Sequence, residues 1–174
     1  MKRPSARETG SPAGGDRLLI ASCCTALATL TPVALYQIGI LNRLPDPPFR
    51  VFNSEKITTS KAAHPFGIPD SLLGLSSFGT TLALVLVARR HPAAKKLLGA
   101  KLTVDVSTAA FNAARQILSF GALCSWCTGT ALAAGGMAYS GRRTIQDAYM
   151  EARAMVKGPE ARNCLNPEQI SQEL

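Results

Sequence analysis

Charge is scarce in this chain. Only 17% of its 174 residues are charged, against the roughly 25% usual in soluble domains, while 47% are hydrophobic and clumped into runs. That shortage argues against a water-soluble domain and points to a membrane. Metal-binding side chains are scarce too. The two histidines, His64 and His91, are predicted on opposite faces, and a single CxxC supplies half of what structural zinc requires, so no metal is expected. No RNA- or DNA-binding motif is present. The net charge of +8 is accounted for by anionic lipid on the inner leaflet, which makes membrane lipid the expected partner and nucleic acid none.

The apolar runs set the fold class. Leu18 to Leu41 ("LLIASCCTALATLTPVALYQIGIL") carries no charge over 24 residues, enough at about 1.5 Å per residue to cross a hydrocarbon core of roughly 30 Å. A cleaved signal peptide competes for this run, since Lys2, Arg3, Arg7 and Arg17 precede it. It outlasts the roughly 7–15 residues of a signal core, so it is read as a retained helix with a kink at Pro32. Ser71 to Ala88 and Gln116 to Gly141 are further uncharged runs.

Between them, "KLTVDVSTAAFNAAR" carries Lys101, Asp105, Thr108, Asn112 and Arg115 at helical spacing, one continuous polar stripe. Such a helix either spans with its stripe turned inward or lies on the surface. Basic residues decide. They cluster in the N-terminal segment, in "RRHPAAKK" and after Gly141, so all three belong in the cytoplasm, which requires the striped helix to cross. The expected fold is all-α, an integral membrane four-helix bundle over 18–141, with helices near 18–41, 67–88, 97–118 and 121–140. A basic cytoplasmic N-terminus (1–17) precedes it, and a partly flexible cytoplasmic tail (142–174) follows. Within the stripe, Asp105 is expected to pair with Lys101, a proton path being the alternative reading.

"CSWC", Cys124 to Cys127, then falls in the first turn of the fourth helix at the outer surface, where free N–H groups and the helix dipole favour a thiolate. Cys23 and Cys24 lie about 15–20 Å away across the bilayer, too far for a disulfide, and read as small apolar fillers. Cys164 sits in the tail. Two packing cysteines are the bland alternative. Gly135 and Gly136 read as close-packing sites.

The stretches "FGIPDSLLGLSSFG" (Phe66 to Gly79) and "GALCSWCTGTALAAG" (Gly121 to Gly135) together resemble the vitamin K epoxide reductase family, particularly its bacterial members. The likeness covers roughly Leu18 to Gly141. It implies a four-helix bundle in the bacterial inner membrane, both termini cytoplasmic, whose CxxC passes electrons to a quinone of the ubiquinone or menaquinone type. By likeness Cys127 faces the quinone, Cys124 exchanges disulfides with a thioredoxin-like extracytoplasmic protein, and Ser60 holds the position of a family Ser or Thr. Phe66, Phe120 and Trp126 are candidate quinone-binding residues, Trp126 being equally suited to anchoring at the interface.

One part of the family pattern is missing. Family members carry a second cysteine pair in the loop between helices one and two; here those positions fall at Ser54 and around Asp46, and Asn42 to Pro65 has no cysteine. Serine forms no mixed disulfide, so that relay is closed. Direct exchange of the CxxC with an external thiol protein is the favoured consequence. The alternatives are a quinone- or lipid-binding protein without turnover, and a subunit of a complex whose partner supplies the missing thiols.

Overall fold

A chain whose polar groups must be satisfied without water closes its backbone hydrogen bonds within helices. The computed structural model describes residues 12–156, and these form α1 (Pro12–Gln37), α2 (Ser54–Thr58), α3 (Asp70–Ala88), α4 (Pro92–Arg115) and α5 (Ser125–Val156), with no β-strand among them. The four long helices make a ring in which α1 packs on α3 and α5, and α4 closes the other side against the same two. Gln37 at the end of α1 meets Asp70 at the start of α3, and Arg89 just after α3 returns to Asp16 in α1. Neighbouring helices are therefore antiparallel, and the thiols and the long loop share one end of the bundle.

Local chemistry moves the expected boundaries. The first helix stops at Gln37 rather than Leu41 because Gly39, at φ +83°, turns the chain left-handed. There Gly39 N–H reaches Tyr36 O and Ile40 N–H reaches Leu35 O, the paired bonds of a Schellman stop. α3 starts at Asp70 rather than residue 67, after left-handed turns at Phe66 and Gly67. α4 begins at Pro92, where proline's fixed φ suits a first helical position, not at residue 97. It runs into a wide π-turn over Gln116–Phe120, closed by left-handed Gly121. α5 starts at Ser125, not 121, and continues to Val156 through the stretch expected to be tail. Residues 142–156 form helix because they pack: α5 passes so close to Gly99 of α4 that a Cβ there would strike Thr144 O and Ala148, and Lys96 pairs with Glu151 at 3.0 Å. Lys2, Arg3, Arg7, Cys164 and the rest of the tail lie outside the described residues.

The core holds Cys23, Leu102 and Met137, each fully buried. Gly136 admits α1, since a Cβ there would stand 2.5 Å from Ser22 Oγ, whereas Gly135 faces open space. The small-residue reading therefore fits Gly136 and not Gly135. Among the described residues two helices, Gly15–Gln37 and Asp70–Ala88, are long and apolar enough to cross a membrane on composition alone. Four were expected. α4 falls short because it carries Lys95, Lys96, Lys101, Asp105 and Arg115, and α5 because its uncharged part is rich in Gly, Ser and Thr and charges follow Gly141. α4 nonetheless carries an outward apolar side: Leu97, Val104 and Phe111, and Leu118 in the turn that follows, are exposed, while Asp105 is 3% exposed.

Candidate active site

Two glutamines frame the thiol end. Gln37 Nε2 donates to Thr58 O at 3.0 Å and to Asp70 Oδ1 at 3.1 Å, and its Oε1 accepts from the Ser71 hydroxyl, tying α1, α2 and α3 together. Gln116, buried in the π-turn, accepts the Cys124 N–H at 3.0 Å. A helical glutamine is easily read as ordinary. Here each satisfies backbone or carboxyl groups that would otherwise be stranded away from water.

Cys124 immediately precedes α5 and acts as its cap. Its carbonyl accepts the Thr128 N–H at 2.9 Å, and its Sγ accepts the Cys127 N–H at 3.1 Å. Cysteine thus occupies the place usually taken by Ser or Asp, with sulfur turned onto free helix N–H groups. The Cys124 thiol pKa is lowered, chiefly by a hydrogen bond from the Cys127 thiol. Burial opposes this, and the N–H groups of Cys127 and Trp126 reinforce it, with the Ser54 hydroxyl in contact with the sulfur. Cys127 lies in the first turn of α5, partly exposed. Both thiols are free.

The loop lies directly on this cap. Leu123 N–H donates to Val51 O at 2.8 Å and Asn53 N–H to Leu123 O at 2.9 Å, a short parallel bridge. Trp126 Nε1 donates to Pro45 O at 3.2 Å. Between these, Asp46 accepts three bonds: from the Ser54 hydroxyl at 2.5 Å, the Ser54 N–H at 2.7 Å and the Ser125 hydroxyl at 2.6 Å. Ser125 N–H in turn donates to Ser54 Oγ at 3.1 Å. Burial pushes the Asp46 carboxyl up, but the bonds from Ser125 and Ser54 outweigh it and hold it below the usual carboxylate range. Ser54 and Cys124 are both 0% exposed. The two loop positions that resemblance marks as missing cysteines therefore bond to each other and rest against the retained pair.

Behind Cys127 a cavity of about 390 Å³ runs into the bundle, within the roughly 300–1,000 Å³ of small-molecule sites. Cys127, Ser60 and Phe120 line it, with Leu30, Phe78 and Gln116 among the other walls. Phe66 and Trp126 do not. Phe66, at φ 59°, points outward and is 101% exposed, and Trp126 is spent on the loop. Ser60 Oγ donates to Ile57 O at 2.7 Å. Deeper in the cavity Asp105 is satisfied by Lys101, by Thr81 and, at 2.7 Å, by the Ser77 hydroxyl, which is the pairing expected of the stripe. Asp105 stands eleven residues from Gln116 along α4, about 16 Å from the thiol end. Midway along the bundle Cys23 Sγ lies 3.9 Å from Met137 Sδ, in the core, while Cys24 is exposed. Among the described residues no three His, Cys, Asp or Glu gather as a metal site.

Sequence reasoning missed Ser125 and Gln116 as parts of this site. Ser125 is the first spacer of the CxxC, and nothing local says that it reaches Asp46.

Comparison with curated proteins and with solved structures gives no match. Comparison with protein families matches residues 17–140 to the vitamin K epoxide reductase family. That span takes in most of α1, the loop, α3, α4 and the CxxC, with both thiols and the cavity. On this match, and with a dithiol capping a helix beside an apolar cavity, the chain belongs to the vitamin K epoxide reductase family of membrane thiol oxidoreductases.

Proposed function

We propose that this protein transfers electron pairs between an extracytoplasmic thiol protein and a membrane quinone through Cys124 and Cys127. The observation that carries the reading is the division of the pair: Cys127 lines the apolar cavity while Cys124 faces the loop. In the oxidised protein a partner thiolate attacks Cys124 Sγ, the Cys124–Cys127 bond breaks, and Cys127 leaves as thiolate with the electron pair. The partner's second thiol resolves the mixed disulfide. The partner has then lost two electrons and two protons, and the chain holds a dithiol. A quinone in the cavity is the two-electron, two-proton acceptor that restores the disulfide. The cavity's size and apolar walls fit a flat, hydrophobic ring, and Cys127 and Phe120 border it.

The reading includes four membrane crossings, with the thiols at the outer face and both ends of the domain in the cytoplasm of a bacterial cell. Its support is the outward apolar side of α4 and the basic residues Arg89, Lys95, Arg142 and Arg143 around a cleft at the end opposite the thiols.

The test is turnover by the full chain in lipid nanodiscs, with a reduced thioredoxin-like protein as donor and a short-chain quinone as acceptor. Quinone reduction is expected to fall to background in Cys124→Ala and in Cys127→Ala. Undiminished rates in both variants sink the reading. Quinone binding without turnover in the unmodified chain replaces it with a binding role.

A further inference from the structure

Asp46, Ser54 and Ser125 stand far apart in sequence and converge on one point. Ser54 opens α2 and Ser125 opens α5. The Asp46 carboxylate receives both hydroxyls, and because a hydroxyl has one proton, the Ser54 proton is committed to Asp46 at 2.5 Å. Ser54 Oγ is left to accept, and it takes the Ser125 N–H. The result is a closed circuit that binds the loop to the first residue of α5, directly over a thiol with no exposed surface. Hydrogen bonds to an ionised carboxylate are the stronger kind. Removing this carboxylate breaks three at once. The backbone bridge at Leu123 and the Trp126 bond hold the neighbouring loop residues Val51, Asn53 and Pro45.

An attacking thiolate has to reach the sulfur itself. Cys127 meets the cavity, so a small apolar molecule approaches it from within the bundle, whereas a protein thiol can approach Cys124 only from the loop side. We propose that Asp46 is a positioning residue for thiol exchange: it clasps Ser54 to Ser125, keeps the loop shut over Cys124, and must release for a partner thiol to enter. This rests on the reading of Cys124 as the partner-facing thiol, but its test does not depend on turnover.

In the reduced full chain in nanodiscs, without quinone, the rate at which a charged methanethiosulfonate modifies Cys124 is followed by mass spectrometry of the Cys124 peptide. The rate is expected to rise about tenfold in Asp46→Asn, the scale of one lost charge-assisted bond, and by less in Ser125→Ala. Modification of Cys127 by small, uncharged N-ethylmaleimide is expected to stay within twofold of the unmodified chain. General loosening of the fold would raise both rates together, and that outcome overturns the proposal. Equal Cys124 rates in all three proteins overturn it as well. Where Asp46→Asn fails to fold, the Ser125→Ala comparison decides by the same criteria. A chain that passes this test and shows no quinone turnover retains the clasp and loses only the oxidoreductase reading.

Discussion

Cys124 Sγ accepts the backbone N–H of Cys127 at 3.1 Å, so the first thiol of the pair caps the helix that carries the second. Helix formation and thiol chemistry are thereby joined in one atom, because the charge that favours a nucleophile is the charge that a helix start favours.

The Cys124 thiol should titrate below the ordinary thiol range, and Cys127→Ala, which removes the largest cause of the shift, should move the midpoint upward. The pH dependence of Cys124 alkylation measures both. The linkage sign follows: a thiol pKa depressed by folding stabilises the fold above the unfolded thiol's pKa, and that contribution is lost as pH falls through the folded value. An unchanged midpoint in Cys127→Ala counts against the bond between the two thiols, since the backbone cap survives that substitution.

Ser54→Cys should form a disulfide with Cys124 on mild oxidation, since the Ser54 hydroxyl contacts both the Cys124 thiol and, at 3.1 Å, the Ser125 N–H. The measurement is the mass of the cross-linked peptide pair. If only Cys124–Cys127 is recovered, the loop does not rest where described.

Asp105→Ala should destabilise the bundle by about 3–5 kcal/mol, because it leaves Lys101 charged and uncompensated inside the ring. Replacing both, as in Lys101→Met with Asp105→Leu, should cost much less. Thermal unfolding in detergent separates the two. Asp105 lies about 16 Å along α4 from Gln116, in the deep wall of the cavity, and the quinone-reduction rate of Asp105→Asn separates its structural role from a catalytic one. A large loss with unchanged stability would restore the proton path along the stripe.

Gly99→Ala should cost about 1–3 kcal/mol, since the added methyl would strike the α5 backbone at Thr144 and α4 and α5 would have to separate. Gly135→Ala, facing open space, should be neutral or slightly stabilising. Unfolding midpoints of the two variants measured side by side check the contrast.

The helices were legible because absence of charge over a membrane's thickness is a local property. Their ends were less so. Leu41 looked like helix because leucine and isoleucine continue the run, yet one left-handed glycine two residues past Gln37 ends it. The stretch from Arg142 to Val156 read as aqueous tail because its charges are plain in the sequence, while the packing that orders it, Thr144 and Ala148 against Gly99, joins residues more than forty apart. The thiol pair was readable from spacing, and Ser54 and Asp46 from likeness to family positions. That they bond to each other and to Ser125 was not, since Asp46 and Ser125 are separated by 79 residues and no periodicity connects them. Phe66 shows the converse: a motif residue expected in the pocket is turned outward by its own backbone.

Among the described residues, the thiol end holds two sulfur atoms, with an oxygen network where a second pair would stand. One dithiol stores one electron pair. Under the proposed chemistry the chain cannot accept a second pair from its partner before giving up the first, so donor and acceptor must be served in strict alternation. Initial rates measured against one substrate at several fixed levels of the other should give parallel reciprocal plots, the kinetic form of a carrier with a single seat.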